Sequence, residues 1–418
     1  MNKLDVDLPK ITKNRIDYKY EVSGEWNALF NTEKFFIEYN CDVEKVPASI
    51  AIIPLICNVL PIAWLTDATI NIKECDKDFF DCIPNLKRGY AQMYPNLEFR
   101  GKIQAEKIIK NEMNAQKGAL AFFSGGVDAF NTLLNHIEEK PTMITVWGAD
   151  IKIKDEKSWS NVEKQVTDVA IEYNLEYIIA KSNLRECFRE DKLCKLVKAS
   201  KDSWWHGFQH GIGIISHGAP VAYLKNIKKI YFASTYTEKE RGKITCASDI
   251  TIDPYLKLSS INVIHDGYEF NRQDKIHNIV EYSRKNNKKV KLRVCWHESA
   301  GENCCNCEKC WRTMLGIFAE NSDPKDFGFY YTSKQIKKIK QLKKVNYQSE
   351  YKFTRELYRA IQEAMRKNVK YKDLPKEIRW FYKVNIDKID YHPIYEMLRK
   401  IKRKVKKVIQ KWVTIKRQ

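Results

Sequence analysis

The sequence predicts an α/β protein: a parallel sheet with helices on both faces, preceded by an α+β accessory domain and followed by a helical tail. Three observations predict it. Uninterrupted apolar runs such as Ala119–Phe123 (ALAFF) and Thr142–Trp147 (TMITVW) alternate with amphipathic stretches, as strands buried on both faces require. The first 115 residues read instead as short strands with one clear helix. Beyond residue 326 the pattern turns helical and basic. The expected boundaries are 1–115, 116–325 and 326–418, since 418 residues exceed one ordinary domain.

In chain order, Arg15–Val22 (RIDYKYEV) and Glu33–Tyr39 (EKFFIEY) read as strands. Val46–Thr66 carries no charge and is just long enough to cross a bilayer. Pro47, Pro54 and Pro61 with intervening β-branched residues favour two short buried strands joined at a proline turn. A helix follows near Asp76–Met93. From Gly118 the alternation begins: the strand ALAFF, a glycine turn, the helix AFNTLLNHIEE, the strand Thr142–Trp147 and a helix over Ser158–Tyr173. The strand Glu176–Ala180, a helical stretch around Trp204–Ser216 and the strand Lys229–Ser234 complete it.

Composition narrows the classes. With 44% apolar residues the chain can build a sizeable core, and 16 Gly with 12 Pro exclude a collagen-like or low-complexity chain. The start MNKLDVDLPK is charged, so no secretory leader is expected. Twelve Cys without a leader point to the reducing cytoplasm, where clustered Cys mean metal or catalysis. The net charge of +20 is not spread evenly. Residues 333–418 hold 27 basic and 8 acidic side chains, so the rest of the chain is nearly neutral.

The tail's last stretch places Ile394, Leu398, Ile401, Val405, Val408, Trp412 and Ile415 on one helical stripe among Lys and Arg. Such a helix packs on its own body or a partner protein, or lies on the inner face of an anionic membrane with Trp412 at the interface. A complete apolar stripe argues against a nucleic-acid partner.

Ser124-Gly125-Gly126-Val127-Asp128 sits between a strand and a helix. Paired glycines allow a sharp turn and a close backbone approach to a ligand, and the helix N-terminus favours an anion. A plain strand-to-helix turn with a Ser cap is the alternative. Phe122–Asp128 (FFSGGVD) resembles the PP-loop (SGGxDS) of the N-type ATP pyrophosphatases, which include GMP synthetase, NAD synthetase, tRNA thiolases and 7-cyano-7-deazaguanine synthase. The resemblance implies an adenine nucleotide alpha-hydrolase-like fold. It implies that Ser124, Gly125, Gly126, Val127 and Asp128 contact the phosphates and Mg²⁺ of ATP. Ala129 departs from the motif Ser, removing one hydroxyl that could meet a phosphate.

Cys295, Cys304, Cys305, Cys307 and Cys310 fall in one short loop, CWHESAGENCCNCEKC. Cys304-x2-Cys307-x2-Cys310 with Cys295 supplies four thiolates for a closed tetrahedral Zn²⁺ site, with an iron–sulfur cluster as the rival and His297 as an alternative ligand. The spacing, followed by Arg312, resembles the zinc loop of 7-cyano-7-deazaguanine synthase, in which Cys305 replaces a Gly. Arg272–Ile276 (RQDKI) resembles that family's Thr-Lys-led helix start, which implies a phosphate or substrate contact for Lys275, with a solvated helix-start lysine as the alternative. That family's Tyr-Pro-Asp-Cys-Arg substrate stretch is absent after Ser234, so a different substrate is expected.

His206 and His210 share a helical face at i, i+4, and His217 follows on a loop. They read as pocket walls or structural residues rather than metal ligands, because no third ligand is evident. The resemblance implies an AMP-forming carbon–nitrogen ligase in which Asp128 and Lys275 serve the chemistry. Its small-molecule substrate would be a carboxylate or amide, and its cofactors ATP, Mg²⁺ and Zn²⁺. A tRNA-modifying thiolase and a non-catalytic nucleotide-binding protein are the alternatives.

Overall fold

In the computed structural model, residues 2–113, 117–295, 302–340 and 352–386 are described. The strands are β1 (Lys3–Val6), β2 (Lys10–Ile11), β3 (Arg15–Asp17), β4 (Tyr20–Ser23), β5 (Phe36–Tyr39), β6 (Thr69–Asp76), β7 (Lys102–Ile109), β8 (Ala119–Phe122), β9 (Thr142–Trp147), β10 (Tyr177–Ser182), β11 (Lys229–Ala233), β12 (Lys257–Leu258) and β13 (Ile261–Asp266). The α-helices are α1 (Ala48–Ala51), α2 (Ile53–Leu65), α3 (Lys77–Met93), α4 (Val127–Asn135), α5 (Glu156–Tyr173), α6 (Glu190–Leu196), α7 (Ile212–Ile215), α8 (Ala219–Leu224), α9 (Arg272–Asn286), α10 (Glu308–Ala319), α11 (Ser333–Lys338), α12 (Lys352–Asn368) and α13 (Arg379–Lys383).

The expected α/β class is observed, but the sheet is mixed. Nine strands run in the order β12-β13-β11-β8-β9-β10-β5-β3-β2. The central five, β13 to β10, are parallel, whereas the strands at both edges are antiparallel. Counted from β8, the parallel strands lie in the order 3-2-1-4-5. The crossover direction therefore reverses beside β8, and the crevice beyond the carboxyl ends of β8 and β11 is where such a sheet binds ligands. Alternation along the strands divides the core. Leu120, Ile144 and Ala180 face one side, and Met143 and Ile179 face the other with α4, α5, α9 and α10.

Three expectations change. Val46–Thr66 forms α1 and α2 rather than two strands. Pro54 lies in the first turn of α2, where a missing N–H costs nothing, and nearly every residue of α2 is buried. An all-apolar segment enclosed on every side shows no helical period, so its prolines misled the reading. Among the described residues, no helix is long and apolar enough to cross a membrane. Arg15–Val22 is not one strand: β3 joins the large sheet, and β4 joins a second sheet of order β4-β1-β6-β7. The N-terminal strands β2, β3 and β5 also extend the large sheet, so the boundary expected at residue 115 marks no break in it.

At the other end, α12 and α13 pack against the core around α9 and α10 through Tyr358, Ile361, Met365 and Phe381. Tyr358 donates to Glu308 at 2.7 Å. Residues 352–386 of the expected tail thus belong to the body. The stripe from Ile394 to Ile415 lies outside the described residues.

Candidate functional site

The chain leaves β8 through Phe123 and Ser124 into Gly125, whose φ is +77°. Only glycine adopts this left-handed conformation without strain, and it turns the backbone into α4. The Gly125 carbonyl accepts the Arg293 amide at 2.7 Å, and the Arg293 guanidinium donates to the Ser124 carbonyl at 2.8 Å. The segment leading into the cysteine loop is therefore bonded to the glycine turn, which joins two motifs far apart in sequence.

Asp128, in the first turn of α4, meets Lys275 Nζ at 3.3 Å and the Arg272 guanidinium at 3.3 Å. Lys275 is only 1% exposed. Burial pushes the Asp128 carboxyl up, but Lys275, Arg272 and Lys309 outweigh it and hold the group below its ordinary value. A cavity of about 590 Å³ opens here, lined by Ser124, Asp128, Ala129, Arg272, Arg293, Lys309 and Arg312 and by apolar walls including Trp159, Trp205 and Phe232. Clustered guanidinium and ammonium groups beside a helix N-terminus suit a phosphorylated ligand, and the aromatic wall suits a planar one.

The sequence named Ser124, Gly125, Gly126, Val127, Asp128 and Lys275, and the fold gathers them in one place. It missed Arg272, Arg293 and Lys309. The available signal was adjacency: Arg272 opens the helix that carries Lys275, Arg293 precedes Cys295 by two residues, and Lys309 lies between Cys307 and Cys310. His206 and His210 line the cavity as expected. His217 does not; it is fully buried against Phe35, and burial pushes its imidazole down to about 4.

Cys295, Cys304, Cys307 and Cys310 bring their sulfurs within 4.8 Å of one another. The Cys295–Cys307 and Cys304–Cys310 pairs are each 3.9 Å apart. Zn–S bonds of about 2.3 Å in a tetrahedron place sulfurs roughly 3.8 Å apart, so this donor set can hold such a metal. Hydrogen bonds from neighbouring cysteines, Cys310 first, hold Cys307 down to about 5. The hydrogen bond with Cys307, then burial, pushes Cys310 up. Four thiolates this close need a cation between them. Cys305 stands apart: its Sγ lies 3.5 Å from the Asn303 carbonyl, and its φ is +48°. His297 lies outside the described residues. From this loop α10 carries Lys309 and Arg312 to the cavity wall.

No protein-family model matches the chain, and no curated protein matches its sequence.

Proposed function

We propose that the chain is a PP-loop, ATP-dependent, AMP-forming carbon–nitrogen ligase related to 7-cyano-7-deazaguanine synthase. It would activate a carboxylate or amide oxygen for attack by a nitrogen nucleophile. One observation carries the reading: Ser124 and Asp128 line a single cavity at the sheet's switch point with Arg272, Arg293 and Lys309, and Lys275 pairs with Asp128. The sequence resemblance supports the same assignment, and so does the left-handed backbone of Cys305, where the related zinc loop has Gly.

Ser124, Gly125, Gly126 and Val127 would cradle the phosphates, and Lys275 with Arg272 would stabilise charge developing on the leaving pyrophosphate. Asp128 with Ser124 would hold Mg²⁺, which offsets phosphate charge when bound. Cys295, Cys304, Cys307 and Cys310 would hold a structural Zn²⁺ that fixes α10, and with it Lys309, against the site. The cytoplasm is the setting that suits this many thiols. For the tail stripe, an anionic membrane surface or a partner protein remains the proposed contact.

Calorimetric titration of the full chain with MgATP should show saturable binding that Lys275→Met and Gly125→Val each abolish. With a panel of carboxylates, turnover should release AMP and pyrophosphate. Release of ADP, or MgATP affinity indifferent to both substitutions, would overturn the assignment.

A further inference from the structure

The same cavity carries a second arrangement, which phosphate binding does not use. Asp202 accepts a hydrogen bond from Thr245 at 2.8 Å and one from Tyr94 at 2.9 Å, and it meets His206 Nδ1 at 2.9 Å. The His206 carbonyl accepts the Ala247 amide at 2.8 Å, which seats the loop bearing Cys246 on the turn bearing the histidines. Two glycines make that seating possible. A Cβ on Gly211 would lie 2.0 Å from the Ala247 carbonyl oxygen, and one on Gly207 would lie 2.3 Å from the Tyr94 hydroxyl. Cys246 is 3% exposed, and it lines the same cavity as His206, His210 and Asp128.

A metal cage does not account for the cluster. Among the described residues, the cysteine tetrad alone brings three or more ligand atoms within 4.8 Å of one another, so Asp202, His206, Cys246 and His210 form no such cage. A carboxylate that orients an imidazole, with a thiol in the same cavity, supplies the groups that activate a nucleophile.

We infer that Cys246 is a catalytic nucleophile that accepts an acyl group from an acyl adenylate made in the adjoining cationic pocket, with Asp202 and His206 as positioning residues. This rests on the adenylate-forming reading above. The Cys246 thiolate attacks the acyl carbon, the carbon–oxygen bond to AMP breaks, and AMP leaves with the bonding pair. The acyl group is then a thioester on Cys246. Ammonia or an amine adds to that carbon, the carbon–sulfur bond breaks with its pair returning to sulfur, and the nitrogen's proton passes to water. Nothing is oxidised or reduced.

The electrostatics agree. Burial would raise the Cys246 thiol, but His206 and His210 outweigh it and bring it to about 7. The hydrogen bond to Asp202 raises His206 to about 10. Cys57 and Cys187, buried without such partners, are pushed well up instead. The other titratable groups facing the cluster are Asp150, Tyr90, Tyr94 and Tyr236, and burial holds the three tyrosines above their ordinary value.

Two measurements on the full chain test this. Iodoacetamide labelling with peptide mapping from pH 5 to 9 should modify Cys246 at least about tenfold faster at pH 7 than Cys57 or Cys187, with a midpoint near 7. His206→Ala should move that midpoint up by about one unit, which a merely structural histidine would not do. A midpoint near the ordinary thiol value of about 8.5 overturns the activated nucleophile. In the second, Cys246→Ser should keep carboxylate-dependent ATP–pyrophosphate exchange but lose amide product, and wild type without amine should carry the acyl group on the Cys246 peptide. Product formed by Cys246→Ser at the wild-type rate overturns the thioester and leaves the ligase standing. Absence of exchange in wild type, with Cys246 still labelling fast, sinks the adenylation reading and the thioester with it.

Discussion

The cysteine tetrad and the cationic pocket share α10, yet they are built in opposite ways. The tetrad takes all four sulfurs from one short loop, Cys295 to Cys310, so its geometry is local and closing it costs little chain entropy. The pocket takes Asp128 from α4, Arg272 and Lys275 from α9, Arg293 from the segment before the loop and Lys309 from α10. Its charges meet only when the sheet and both helices are in place. A local site can be read from spacing, whereas a dispersed one depends on the whole fold and is the more exposed to electrostatic imbalance when one partner is removed.

The comparison can be broken at several points, beginning with the largest effect. Cys307→Ser removes a central sulfur of the tetrad and should strip the metal from the purified chain. The lost metal-binding free energy is folding free energy, so the melting temperature should fall by roughly 5–10 °C, because a chain of this length loses about 1 °C per kcal/mol. Elemental analysis that still finds one metal per chain would mean the four-sulfur set is wrong.

Asp128→Ala leaves Lys275 and Arg272 buried without their carboxylate, at a cost of about 3–5 kcal/mol. Urea unfolding should show it, and the double variant Asp128→Ala/Lys275→Met should recover part of the loss. If the two substitutions simply add, the pair is not coupled. The pocket should also respond to acid. The Asp128 carboxyl lies below its ordinary value in the folded chain, so the unfolded chain binds the proton first. The stability from this group is therefore present above the ordinary carboxyl value and lost as pH falls through the folded one. Stability measured from pH 5 to pH 3 should fall more steeply in wild type than in Asp128→Asn.

Gly125→Ala should cost about 1–2 kcal/mol, because φ is +77° and the new Cβ would lie 3.4 Å from the Arg293 side chain. Differential scanning calorimetry would register this as a modest shift, with metal content unchanged. The smallest effect belongs to Cys305→Ser, which should keep the metal and change stability by less than about 1 kcal/mol, since this sulfur lies outside the tetrad. Metal loss in Cys305→Ser would show that the loop's ligands had been chosen wrongly.

Much was legible where the signal is local. The strands ALAFF, TMITVW and KIYFA fall where apolar runs between turn residues place them, and α3 and α5 begin at Asp caps that spacing could find. Ser124 to Asp128 and the four cysteines were legible for the same reason: each set lies within one turn or one loop. The segment of α2 was not, because a helix buried on every side carries no amphipathic period.

Tertiary structure alone decided the rest. It split Arg15–Val22 between two sheets and placed the N-terminal strands at the edge of the large one. It also brought Arg293 to the Gly125 carbonyl and set Cys246 in one cavity with His206 and His210. No spacing in the chain links Cys246 to the i, i+4 pair Asp202 and His206. Their meeting depends on a loop closing over Gly211, which is a contact between backbones rather than a pattern of side chains. Sequence by itself fixes what each short segment can offer, through turn stereochemistry, ligand spacing and hydrophobic period. Which charges and nucleophiles face one another is settled by the strand order, because the switch beside β8 gathers the carboxyl ends of separate strands into one crevice.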